Sequence, residues 1–299
     1  MKIQYQTYKF RNGTLSTIEK ANEIIAKYTA EGYELTLRQL YYQFVARGFI
    51  ENMEREYKQL GSIIDHGRLA GEIDWLAIVD RTREIKRNSH WDSPADILRS
   101  AADSYALDSR ADQPVYIEVW VEKEALVSVL ERACGPLDVP YFACKGYVSQ
   151  SAMWRAAVRI SDKLRANKCT RARAVILYLG DHDPSGIDMS RDIQDRLDIF
   201  GISVSVRRIA LNLDQIEQYN PPANPAKVTD SRCASYIAEY GDESWELDAL
   251  DPRTINELIS REINGLTKLA ARRRLIKKQE KHRAKLQKVA VNFDDLTIE

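Results

Sequence analysis

Leu179-Gly180-Asp181-His182-Asp183-Pro184-Ser185-Gly186 sets two carboxylates two residues apart, where the apolar run Ala174–Leu179 ends. Residues two apart in an extended segment project to the same side. Asp181 and Asp183 can therefore converge on one point, and Pro184 and Gly186 supply the turn that holds them there. Carboxylates that close repel each other unless a cation lies between them. Hard oxygen donors with open positions suit Mg2+, which prefers carboxylates plus phosphate oxygens. A third carboxylate, Glu122, follows Val121 at the end of another apolar run, Val115–Val121. It joins the pair if the two runs are neighbouring strands. Glu124 lies farther into the next segment, behind these ligands, and Lys123 is expected to face solvent or touch a phosphate. His182 would point away from the aspartates and takes no role. The bland alternative is that D-x-D makes a turn whose aspartates cap the following helix.

The elements that must position these groups follow from periodicity. Apolar spacing predicts helices over 14–31, 36–48 and 52–70, and a short strand at 75–80. This is a compact helical unit with a little sheet, of winged-helix-like character. Residues 81–113 are polar and irregular apart from a helix predicted at 94–107. Strands are then predicted at 115–121, 139–143, 174–179 and 203–210, alternating with helices at 123–133, 149–166 and 187–200. Alternation of that kind implies a mainly parallel α/β sheet, and ligands of such sheets bind at the carboxyl ends of the strands. A proline-rich loop spans 219–231, and 253–288 reads as one or two helices. The expected domains are 1–110, 111–252 and a helical basic tail, 253–299.

Apolar residues make up 44% and charged residues 29%, an ordinary globular balance. No apolar run is long enough to span a membrane, and the first residues lack a signal-peptide core. A cytoplasmic protein is expected. Cys134, Cys144, Cys169 and Cys233 form no C-x-x-C pair, which argues against a disulfide framework or a zinc site. The net charge is +0, yet basic residues outnumber acids ten to one between Lys268 and Lys288, while Glu239–Asp251 carries acids and no base. Such segregation can give a neutral protein a basic face, the alternative being a solvated helix face.

V-E-K-E-A (121–125) followed by G-D-H-D-P-S-G (180–186) resembles the Toprim domain of the topoisomerase VI A subunit, the meiotic double-strand-break protein and the short Topo mini-A proteins. Glu246-Leu247-Asp248-Ala249-Leu250 also resembles a stretch found late in this family. The likeness spans roughly 115–250. The family's tyrosine pattern, T/S-x-R-x-x-Y-Y, matches Thr36-Leu37-Arg38-Gln39-Leu40-Tyr41-Tyr42, with Gln39 where an acid is usual. On its own, a tyrosine pair on an amphipathic helix is core packing. The resemblance implies that Tyr42 is a nucleophile, that Arg38, one helical turn earlier, binds phosphate or assists the phenol, and that Glu122, Asp181 and Asp183 hold Mg2+. Arg47, Arg81, Arg83, Lys86 and Arg87 are then candidates for DNA phosphate contacts. It further implies a homodimer on double-stranded DNA, in which the tyrosine of one subunit works with the Toprim site of the other. No P-loop is present, so ATP-driven strand passage would require a separate GHKL-type ATPase subunit. Two other functions suit the same residues: a Toprim nuclease that uses water, and a non-catalytic DNA-binding dimer.

Overall fold

The computed structural model describes residues 1–78, 88–167, 172–226 and 232–293. The chain is a mixed α/β protein with a four-stranded parallel sheet and a helical C-terminal region.

Three helices open the chain: α1 (Asn12–Ala30), α2 (Leu37–Ala46) and α3 (Glu54–Leu69). Their apolar stripes meet in one cluster that includes Ile18, Ile24, Tyr28, Leu40, Phe44 and Ile64. Thr36 and Gln39 start α2 with a reciprocal capping box. The Gln39 N–H donates to Thr36 Oγ1 at 3.2 Å and the Thr36 N–H donates to Gln39 Oε1 at 2.9 Å. Gln39 thus performs a capping role. The strand expected at 75–80 is, over its described part, a turn ending in a single parallel bridge between Leu35 and Ile78. Arg81, Arg83, Lys86, Arg87 and Cys169 lie outside the described residues.

The sheet consists of β1 (Val115–Val121), β2 (Tyr141–Ala143), β3 (Arg173–Leu179) and β4 (Val204–Ala210), in the order β2-β1-β3-β4. Period-two alternation divides its core. Ile117, Val119, Val121, Val175, Leu177 and Leu179 pack with α5 (Val127–Cys134) and α10 (Pro252–Gly265). Trp120, Ile176 and Tyr178 pack with α6 (Gln150–Ala166) and α7 (Pro184–Ile199). A sheet covered on both faces requires the continuous apolar runs that the sequence carries. Strand order reverses between β1 and β3, so their carboxyl ends form the switch point where such sheets bind ligands.

The proline-rich segment contains β5 (Ala223–Pro225), antiparallel to β6 (Glu243–Trp245), with α8 (Leu213–Tyr219) before and α9 (Cys233–Tyr240) between them. The basic helix α11 (Leu269–Val291) runs along α4 (Pro94–Ser104), and only Ala290 of α11 is buried. Among the described residues, no helix is long and apolar enough to cross a membrane.

Candidate active site at the carboxyl ends of β1 and β3

β1 and β3 are hydrogen-bonded neighbours with Val121 opposite Leu179, so Glu122 and Gly180 leave the sheet side by side. The Glu122 N–H donates to Leu179 O at 2.9 Å, and the Asp181 N–H donates to Glu122 Oε2 at 2.9 Å. Glycine is required twice here. A Cβ on Gly180 would overlap the Tyr178 hydroxyl, and one on Gly186 would overlap the Asp181 carbonyl; each would also crowd Glu122 Oε2. Asp183 caps α7: its Oδ1 accepts from the Gly186 N–H at 2.6 Å and from the Ser185 hydroxyl at 2.9 Å. Half of the capping alternative is therefore realised. Asp181 does not cap that helix; its Oδ1 accepts from the Leu247 N–H at 2.8 Å.

Burial pushes the Asp181 carboxyl up to about 7; Lys123 opposes the rise, and Glu122 and Asp248 add to it. Burial also raises Glu122, with the Asp181 N–H opposing and Asp183 adding. Burial and mutual repulsion thus act on both carboxyls, and the cation that faces Asp181 is the Lys123 ammonium, 3.0 Å from its Oδ2. Among the described residues, no three His, Cys, Asp or Glu side chains are gathered as a ready metal cage.

Lys123 turns inward onto acids rather than out to solvent. Its Nζ lies 3.0 Å from Asp181 Oδ2, 2.9 Å from Glu246 Oε2 and 2.9 Å from Asp248 Oδ1. Glu246 precedes the short turn Leu247–Ala249 after β6 and Asp248 lies within it, almost completely buried. The same two acids receive Arg38 from α2: the guanidinium pairs with Glu246, and its Nε lies 3.0 Å from Asp248 Oδ2. Burial works against ionisation of Glu246, but Lys123 and then Arg38 outweigh it and bring the carboxyl down to about 2. Arg38 Nη2 donates to the Tyr42 hydroxyl at 3.3 Å. Tyr42 is 3% exposed, and burial, followed by Asp248 and Glu246, holds its phenol well above the ordinary value. A chain of charges thus runs from α2, which carries Tyr42, to the carboxylates. Arg47 lies at the end of α2, and its Nη1 donates to Gln43 O at 2.9 Å and Gln43 Oε1 at 2.6 Å.

Two further residues hold this corner. Arg208 of β4 donates from Nη1 to Gly186 O at 2.7 Å, and from Nη2 to Gly180 O at 3.0 Å and Asp181 O at 2.6 Å. It clasps both ends of the G-D-H-D-P-S-G turn. His182 does point away from the aspartates, as expected. It exchanges backbone hydrogen bonds with Trp245, and its Nδ1 lies 2.8 Å from the Tyr236 hydroxyl. Burial, followed by Arg208, lowers its pKa to about 4. Nothing in the motif spacing signalled Arg208 or the acid role of Glu246 and Asp248, although the E-L-D-A-L likeness had marked the latter segment. No protein-family model matches the chain, and no curated protein matches it.

Proposed function

We propose that the chain is a type IIB topoisomerase A-subunit-like protein. It binds double-stranded DNA through a winged-helix-like N-terminal unit and a Toprim domain and cleaves both strands as a homodimer. The observation that carries this reading is the meeting of Glu122 and the Asp181/Asp183 turn at the switch point of a parallel sheet, with the Arg38–Tyr42 helix ion-paired onto the same corner. The Tyr42 phenol forms the new bond to phosphorus, the bond from phosphorus to the 3′ oxygen breaks, and the phenolic proton ends on that oxygen. The products are a 5′-phosphotyrosyl link and a 3′-hydroxyl. A phenol is a weak nucleophile at neutral pH and needs activation. Mg2+ held by Glu122, Asp181 and Asp183 would neutralise charge developing on the phosphate oxygens. Arg38 exchanges a carboxylate for the scissile phosphate, while Arg47, Arg81, Arg83, Lys86 and Arg87 contact flanking phosphates. Strand passage would call on a separate GHKL-type ATPase.

The test is to incubate the protein with plasmid and Mg2+, quench with detergent, and assay for protein on 5′ ends. The expected result is an adduct from the wild type that Tyr42→Phe abolishes; an undiminished adduct with Tyr42→Phe defeats the mechanism. The burial and raised pKa of Tyr42 favour a second reading, metal-dependent hydrolysis by water. Cleavage that survives Tyr42→Phe and dies with Asp181→Ala would select it.

A further inference from the structure

The helix α11 has two sides of different character. Successive residues of a helix turn by about 100°, which places Ala271, Leu275, Gln279, His282, Leu286 and Ala290 on one side. That side rests on α4 and the residues just after it. His282 Nδ1 lies 2.7 Å from the Tyr105 hydroxyl, Gln279 Oε1 accepts from the Leu107 N–H at 2.8 Å, and Arg283 Nε donates to Tyr105 O at 2.7 Å. The helix is rooted before β1, at the fully buried Gln113. There the Lys268 N–H donates to Gln113 Oε1 at 2.7 Å, and Gln113 Nε2 donates to Lys268 O at 3.1 Å. These bonds decide which side of α11 faces outward.

The same turn per residue gathers Arg274, Lys277, Lys278, Lys281, Lys285 and Lys288 within an arc of about 100° on the other side. All six are exposed. Glu280, the one acid of α11, falls outside the arc. Among the described residues, Arg274–Asp112 is the only ion pair made from it. A solvated helix face normally carries both signs, and like charges four residues apart in a helix repel each other. The five lysines therefore weaken α11 and make no contact that holds the fold. A polyanion laid along the arc would turn that repulsion into attraction.

We propose that this arc binds the phosphate backbone of duplex DNA. Lys277 to Lys288 covers about 17 Å of helix axis, a length over which one DNA strand carries about five phosphates. The arc thus matches one strand in charge density. It holds no aromatic side chain on which an unpaired base could stack, as single-strand sites do. Lysine charge without a base-reading side chain positions a duplex and does not read its sequence. A membrane surface fits less well, because an interfacial helix buries its apolar side among lipids, and that side of α11 is already spent on α4. The root of α11 adjoins the start of β1, whereas Glu122 follows its end, so this contact is separate from the carboxylate corner. It holds a duplex whether or not the tyrosine chemistry proceeds.

The test titrates the full chain against a labelled duplex of mixed sequence, by fluorescence anisotropy across a range of salt, with EDTA present so that nothing is cut. Each phosphate contact contributes about 0.9 to the slope of log K against log salt. The quadruple variant Lys277→Gln/Lys281→Gln/Lys285→Gln/Lys288→Gln should therefore lose about 3 to 4 from that slope and bind at least about tenfold more weakly at low salt. It should melt close to the wild type, since the exchanged side chains are exposed. Arginine at the same four positions should restore the binding, which a purely structural role for the lysines would not predict. A glutamine variant with wild-type affinity and slope overturns the proposal, as does a wild type that binds no duplex, or one that binds a single strand of equal length more tightly. So does wild-type binding to phosphatidylserine vesicles that the glutamine variant loses while its duplex affinity is unchanged; that result assigns the arc to a membrane. Tyr42→Phe should leave duplex binding as it is, so that a failure of the cleavage reading and a failure of this contact are told apart.

Discussion

An ammonium nitrogen within 3.0 Å of three carboxylates does at Lys123 what three separate hydration shells would otherwise do. Removing one partner from a buried ionic cluster strands the others, at a cost of about 3–5 kcal/mol. Lys123→Met should lose stability of that order in urea at pH 7; a midpoint equal to wild type would mean that the acids manage without the lysine. Tyr42→Phe removes one hydroxyl and its hydrogen bonds, worth about 1 kcal/mol, so this variant should reach the adduct assay folded. Cys134 offers a pH test away from the site. Burial pushes its thiol up to about 12 from 9.0. Between those values the folded chain keeps a proton that the unfolded chain has lost. The stability contribution is whole below pH 9 and declines above it, by up to about 1.4 kcal/mol per pH unit. Cys134→Ala has no such proton to lose. Its stability deficit relative to wild type, measured by urea unfolding, should therefore narrow steadily from pH 9 to 11.

At the scale of elements, the turn from β3 into α7 serves both a structural and a chemical reading, and asparagine separates them. Asn caps a helix about as well as Asp, whereas Ala costs about 1 kcal/mol. Asp183→Asn should therefore melt like wild type while weakening Mg2+ binding by calorimetry, and Asp183→Ala should lose both. Unchanged Mg2+ binding in Asp183→Asn would reduce Asp183 to a cap. β1 and β3 were legible in the sequence because a strand covered on both faces is apolar along nearly all its length, and Val115–Val121 matched to the residue. The adjacency of Glu122 and Asp181 followed from reading two such strands as neighbours. The short β5–β6 pair was not legible, because three-residue strands carry too little pattern. Nor was the clasp by Arg208. An arginine in a strand reads as a surface charge until the fold brings backbone carbonyls from 22 to 28 residues away to meet it. The inward turn of Lys123 was missed for the same reason, since two of its three acids come from more than a hundred positions later in the chain.

Across the whole molecule, the N-terminal helices sit on the sheet through polar joints. The Tyr28 hydroxyl donates to Asp251 at 2.7 Å, Arg253 reaches Glu31 at 3.0 Å, Asn256 donates to the Tyr33 hydroxyl at 3.2 Å, and Arg38 reaches Glu246 and Asp248. Among the described residues, Ala249 is the one buried contribution from the later chain to the N-terminal apolar cluster. Apolar cores are hard to part, whereas a partly exposed ion pair such as Arg253–Glu31 is worth about 1 kcal/mol or less and weakens with salt, and the Arg38 pairs keep the arginine side half open to solvent. The joint is therefore the low-stability boundary of the chain, and opening should occur there before either core melts. The proposed chemistry needs such an opening, because a tyrosine that serves a partner's carboxylates must leave the acids of its own subunit. The double variant Arg38→Ala/Arg253→Ala should speed amide exchange at 37–46 and 246–251 by at least tenfold while leaving β1 and β3 as protected as in wild type. Raising the salt should shift the wild type in the same direction by a smaller factor. Faster exchange spread evenly through the sheet would show instead that helices and sheet unfold as a single unit, and that the tyrosine helix does not come away on its own.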